Sequence, residues 1–154
     1  MVVLKGIPSV ISPDLLYVLA KMGHGDELVL ADANFPTSSI CTSGPKEIRA
    51  DGLGIPQLLE AILKLLPLDT YVPSPAAVMD LVVSDKLRCL AVPVWEKYTQ
   101  LLSLAGSESS LEKVERFAFY ERAKRAYAVV ATGETALYGN LILKKGVIPA
   151  ELLQ

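Results

Sequence analysis

Apolar and polar positions follow one another in short blocks along this chain, and their spacing predicts helices and strands in turn. Ser12, Pro13 and Asp14 form a helix start: a capping hydroxyl, a proline at the first helical position and an acid in the first turn. Leu15, Leu16, Leu19 and Met22 then share one face, and Gly23 is expected to stop the helix in the left-handed conformation. After a loop of His24, Gly25 and Asp26, the run Glu27 to Ala31 reads as an apolar strand that ends at Asp32. Lys46 to Asp51 is a second strand, broken by Gly52 and Gly54. Pro56 opens a helix carrying Leu58, Leu59, Ile62, Leu65 and Leu66, closed by Pro67. Val78 to Val83 is expected to be a strand, and Val94 to Leu104 a helix around Trp95, Tyr98, Leu101 and Leu102. Ser109 and Glu112 at capping-box spacing predict a helix over Leu111 to Lys124. Strands over Tyr127 to Ala131 and Leu141 to Lys144 follow.

Helices alternating with short strands indicate an α/β fold, expected here as a single domain over residues 1–154 with a mixed or mostly parallel central sheet flanked by helices. Composition adds one thing to that picture. Hydrophobic residues make up 51% of the chain and the mean hydropathy is +0.38, which predicts that subunits associate to hide apolar surface. The net charge is −2, and the basic stretch Arg116 to Arg125 is diluted by Glu121 with Glu112 and Glu115 just before it. Neither nucleic acid nor an anionic membrane is expected as a partner. The longest apolar runs, Leu58 to Leu66 and Tyr127 to Ala131, are too short or too charged to span a bilayer. The N-terminal stretch, with Lys5, Gly6, Pro8 and Pro13, lacks the apolar core of a signal peptide. Cys41 and Cys89 have neither metal-ligand nor redox spacing, and a cytoplasmic location is expected.

Several common chemistries have no support. No glycine-rich phosphate loop follows a strand, one histidine and two distant cysteines do not make a zinc site, and no serine sits in a nucleophile elbow. No metal and no cofactor are expected. What remains is His24, several carboxylates and six tyrosines. His24 lies between a helix stop and a strand, and Asp32 at the carboxyl end of that strand, where ligands gather in open α/β sheets. The residues alone leave two readings open: an acid–base histidine oriented by a carboxylate, or a surface histidine beside an acid that caps a turn. Tyr138 and Asn140, flanking Gly139, suit a sugar, which needs donors and acceptors together with an aromatic face. Tyr120 fits either such a site or plain core beside Phe117 and Val114, and Asp69 after Pro67 is by default a turn residue.

Taken together, these segments resemble the family of fucose mutarotases and ribose pyranases. The matching stretches are Leu19-Ala20-Lys21-Met22-Gly23-His24-Gly25-Asp26-Glu27, Ala31-Asp32-Ala33-Asn34-Phe35-Pro36, Phe119-Tyr120-Glu121-Arg122-Ala123, Ala128-Val129-Val130-Ala131-Thr132-Gly133-Glu134 and Tyr138-Gly139-Asn140-Leu141-Ile142-Leu143-Lys144-Lys145-Gly146. No single motif decides the matter; their order over nearly the whole chain is the specific signal. The resemblance implies an isomerase that interconverts the α and β anomers of a free sugar. It implies His24 as catalytic acid–base group, Asp32 as its partner or a sugar ligand, Tyr120 at sugar contact and proton transfer, and Tyr138, Asn140 and Asp69 as further sugar ligands. It also implies homo-oligomers with sites near subunit interfaces. L-Fucose is preferred to D-ribose because the run Phe119-Tyr120-Glu121-Arg122 resembles the fucose branch and the C-terminal half carries no further histidine. Ribose pyranase activity, a non-catalytic sugar-binding protein, a scaffold whose apolar surface serves a different partner, and aldose isomerisation by proton abstraction from carbon are the alternatives.

Overall fold

The computed structural model describes residues 3–153. In chain order the elements are α1 (Pro13–Lys21), β1 (Glu27–Ala31), α2 (Thr37–Cys41), β2 (Lys46–Ala50), α3 (Ile55–Leu63), β3 (Ala76–Met79), α4 (Val83–Leu87), α5 (Pro93–Leu104), β4 (Glu112–Val114), α6 (Arg116–Ala123), β5 (Ala128–Thr132) and β6 (Leu141–Lys144), with a final 3-10 turn at Ala150–Leu152. Among the described residues the strands form one six-stranded sheet in the order β2-β5-β1-β6-β3-β4. β1 runs parallel to β5, β5 to β2 and β3 to β4. β6 runs antiparallel to both of its neighbours, β1 and β3. The sheet is therefore mixed, with one reversed strand near its middle.

Helices cover both faces, which is why the central strands read as continuous apolar runs. Successive side chains of a strand point to opposite faces. Leu28 and Leu30 of β1 accordingly enter one core with Leu15 and Val18 of α1, Leu58 and Ile62 of α3, and Tyr98 and Leu102 of α5. Val29 and Ala31 enter the other with Ile40 of α2 and Phe119 and Ala123 of α6. Among the described residues no helix is long and apolar enough to cross a membrane.

Four local expectations change. α1 starts as expected, with the Leu15 N–H donating to Ser12 Oγ at 3.1 Å. It ends differently: Met22 leaves in an extended conformation, and the left-handed residue is Gly25 (φ 89°), not Gly23. Lys145 Nζ donates to the carbonyls of Leu19 (3.1 Å) and Met22, so a distant lysine satisfies the last turn. The helix over Leu111–Lys124 is split, because Glu112–Val114 pairs with β3 as an edge strand and the helix begins only at Arg116. Its cap is Glu115, which accepts from the Ala118 N–H at 3.0 Å. The strand expected to run to Val83 stops at Met79, after which the Leu81 N–H donates to Asp80 Oδ1 and α4 follows from Val83. The helix opened near Pro56 stops at Leu63, leaving Leu65 and Leu66 in a turn. α2, five residues of which Ile40 is the one large apolar side chain, was not signalled by the pattern.

Candidate functional site

The reversed strand decides where the candidate residues meet. The carboxyl ends of β1, β3 and β5 lie at the same edge of the sheet as the amino end of β6. Asp32, just after β1, is thereby set beside Asn140, just before β6, and the Asp32 N–H donates to Asn140 Oδ1 at 2.7 Å. That bond fixes the amide, because a backbone donor requires the oxygen, and it leaves the two Asn140 amide N–H groups for other partners. Asp32 is buried, and burial pushes its carboxyl above the ordinary value while the backbone N–H groups of Asn34, Gly139 and Phe35 pull it back. Tyr138 sits two residues before Asn140 in the left-handed region (φ 58°), a conformation that costs a non-glycine residue on the order of 1 kcal/mol. Two anchors hold it there: Trp95 Nε1 donates to the Tyr138 carbonyl at 2.9 Å, and the buried Tyr98 hydroxyl donates to the Gly139 carbonyl at 2.6 Å. A side chain at Gly139 would meet the Ala136 carbonyl at 2.9 Å, so this close turn requires glycine.

A cavity of about 370 Å³ opens at this edge. Its wall includes Asp32, Tyr120, Tyr138 and Asn140, four of the six residues expected from the sequence, joined by Asp85 and Arg116. Tyr120 arrives from α6, its ring 5.7 Å from Phe35, and its hydroxyl accepts from Arg116 Nε at 3.3 Å.

His24 and Asp69 lie elsewhere. His24 precedes β1 and so stands at the opposite edge of the sheet, beside the carboxyl end of β6. The loop is held there by the Gly25 N–H on the Lys145 carbonyl (2.8 Å) and the Gly23 N–H on Asp26 Oδ2 (2.7 Å). Its partner is Asp69, with Nε2 and Oδ1 3.1 Å apart, and not Asp32. β1 alone, five residues at about 3.3 Å each, separates the two edges by roughly 16 Å. One chain therefore does not bring His24 to Asp32 or Tyr120. Asp69 is fixed by its own N–H on the Lys144 carbonyl (3.0 Å) and by close packing on Gly146, where a Cβ would stand 2.5 Å from the Leu68 carbonyl oxygen. The His24 side chain is 45% exposed and that of Asp69 only 4%. The Tyr71 ring lies 5.5 Å from the imidazole.

The Tyr71 N–H, and after it His24, hold the Asp69 carboxyl below the usual carboxylate range. A carboxyl lowered on folding stabilises the fold above its unfolded value of about 3.9, and that contribution is lost as pH falls through the folded value. Asp69→Asn should therefore be less stable than the parent in urea titrations at pH 7, and the two should converge as the pH is taken below about 4. A gap that stays constant down to pH 3 would contradict the assignment.

The model of the RbsD / FucU transport protein family matches residues 5–148. The chain belongs to that family. Within it, a fucose mutarotase of Danio rerio is 74% identical over 151 residues, 98% of each chain. A fucose mutarotase of Homo sapiens is 73% identical over 148 residues, 96% of each chain. Among solved structures, the fucose mutarotase of Streptococcus pneumoniae in complex with L-fucose superposes with a TM-score of 0.87 at 50% identity, covering 95% of this chain and all of that one.

Two cavity residues of this family member escaped the sequence reading. Arg116 was part of a basic stretch balanced by glutamates, and only its place at the start of α6 turns it into the cavity. Asp85 fell beyond an expected strand and carried no motif. Among the described residues, no three His, Cys, Asp or Glu side chains are grouped to hold a metal ion.

Proposed function

We propose that this protein is an L-fucose mutarotase, interconverting the α and β anomers of the free sugar by acid–base catalysed ring opening and closing. The observation that carries the reading is the cavity at the Asp32 edge, where two carboxylates, an amide, an arginine and two phenols converge around a space of monosaccharide size. The identity to fucose mutarotases over nearly the whole chain supports fucose as the sugar.

Each site is completed by a second copy of the chain. His24 and the cavity stand at opposite edges of one sheet, and both edges carry exposed apolar side chains: Tyr71 and Ile148 near His24, Phe117 and Leu137 near the cavity. Packing the His24 edge of one copy on the cavity edge of another buries those side chains and joins the two halves of the chemistry. In the joined site a base takes the proton of the anomeric hydroxyl while an acid protonates the ring oxygen. The open aldehyde turns about its bond to the next carbon and recloses, with the two groups in exchanged roles. His24, its Nε2–H donated to Asp69, offers Nδ1 for proton transfer, so Asp69 serves to fix the tautomer rather than to hold the sugar. Tyr120 is the second proton-transfer group. Asp32, Tyr138 and Asn140 hold the hydroxyls of the open chain. The reading includes a single mutarotase domain over residues 1–154 and a cytoplasmic location, supported by the free thiols of Cys41 and Cys89.

The test is anomer exchange of L-fucose by NMR saturation transfer. The wild-type protein should accelerate it. His24→Ala and Asp32→Asn should each be slow alone, and a mixture refolded at equal amounts should regain about a quarter of wild-type activity, the share of shared sites in which both contributions are intact. No recovery would refute the shared site, and no acceleration by the wild type would refute the function.

A further inference from the structure

Asp85 lines the cavity beside Tyr138. It lies in α4, and its two carboxylate oxygens are both engaged. Oδ2 accepts the proton of the Tyr138 hydroxyl, and Oδ1 accepts from Arg88 Nη2 at 2.7 Å. The Tyr138 oxygen also accepts from the Val82 N–H at 3.3 Å. A phenol has one proton to give and a limited capacity to accept. The proton of Tyr138 is therefore committed to Asp85, and only the remaining acceptor capacity of its oxygen faces the cavity. Tyr120 is arranged the other way. Its oxygen accepts from Arg116 Nε, and among the described residues no protein group takes its proton.

Resting on the mutarotase reading, we propose that Asp85 is a positioning residue that fixes the polarity of Tyr138, so that Tyr138 meets the sugar as a hydrogen-bond acceptor while Tyr120 meets it as a donor. The pair then recognises a hydroxyl that donates on one side of the cavity and an oxygen that accepts on the other. This division fits a substrate whose ring oxygen must gain a proton while its hydroxyls are held. It also keeps the Tyr138 proton out of the proton exchange, leaving that exchange to His24 and Tyr120. The charged groups that bear on Tyr138 are Asp85 on α4, with Arg88 behind it, and Arg116 on α6. Burial first, and then the bond to Asp85, push the Tyr138 phenol above its ordinary value.

The experiment combines a double-mutant cycle with a titration. L-Fucose exchange kinetics are measured for wild type, D85A, D85N, Y138F and D85A/Y138F, and the tyrosine 13Cζ resonances are followed against pH, with Y138F identifying the signal. D85A should raise KM by roughly 3–10-fold with kcat changed by less than about 2-fold, and in the Y138F background it should add nothing. D85N, which keeps the shape of α4 but whose amide can donate as well as accept, should raise KM by less than D85A does. D85A should also bring the Tyr138 phenol down toward its ordinary value, since the protonated form loses its acceptor. An equal loss from D85A with and without the Tyr138 hydroxyl, or a Tyr138 titration unmoved by D85A, would overturn the proposal. A wild-type protein that fails to accelerate exchange would overturn the mutarotase reading instead, and the titration would still decide whether Asp85 holds the Tyr138 proton.

Discussion

Replacing His24 by alanine is expected to slow L-fucose anomer exchange by roughly 10²- to 10⁴-fold, the span a positioned acid–base group contributes. The change should leave the fold almost untouched. The imidazole is half exposed and packs on Tyr71 and Asp69, while the loop beneath it is held by backbone bonds from Gly23 and Gly25 that do not involve the side chain. Saturation-transfer NMR for the rate and a thermal melt for the fold separate the two effects. A variant that exchanges fucose at the wild-type rate would remove His24 from the mechanism. Asp69→Asn gives a graded companion. With the carboxylate gone the imidazole loses its fixed tautomer, and exchange should slow by less than in His24→Ala.

The largest expected loss of stability is at Phe119. Its side chain is fully buried among Val29, Ala77, Met79 and Ile142, with its ring edge-on to Phe35 at 6.0 Å. Truncation to alanine should cost about 3–5 kcal/mol, which for a chain of this size is a fall in Tm on the order of 10 °C. Activity should fall too at temperatures where the fold survives, because Phe35 supports the Tyr120 ring and Phe119 anchors the helix that carries it. Phe117→Ala, two residues away on the same helix but 66% exposed, is the control and should change Tm of the isolated chain little. Equal losses at the two positions would mean that α6 is not packed as described.

The strands and helices that the pattern made legible are mostly those whose apolar positions repeat several times, α1, α3, α5, β1, β5 and β6, together with β2, which is marked off by the glycines that follow it. Their local preference and their burial agree, so spacing suffices. β4 shows the opposite case. Ser109 and Glu112 carry a sound local helix signal, but the backbone of Glu112–Val114 is taken by β3, a partner more than thirty residues earlier that no window contains. The site divides in the same way. His24, Tyr138 and Asn140 stand in distinctive glycine-containing runs and Asp32 closes an apolar strand, so each is a candidate from sequence alone. The carboxylate that pairs with His24 lies 45 residues away, and Asp32 was the nearer candidate along the chain while being the farther one in space. Arg116 and Asp85 have ordinary neighbours in sequence. Their chemistry exists only after α4 and α6 are brought to one rim of the sheet.

The position of β6 has a consequence for how this protein is made. Four residues, Leu141–Lys144, fill the gap between β1 and β3, although they follow β1 by more than a hundred positions. Until they dock, the nascent chain holds two separate ribbons, β2-β5-β1 and β3-β4, each with a raw edge of unpaired backbone N–H and C=O groups beside apolar side chains. Those edges template association with other chains. A ribosome that stalls before Leu141, or a protease that clips the Thr132–Asn140 turn, leaves an aggregation-prone product rather than a smaller folded one. Shortening the chain by its last fifteen residues should thus move it from the soluble to the insoluble fraction on expression.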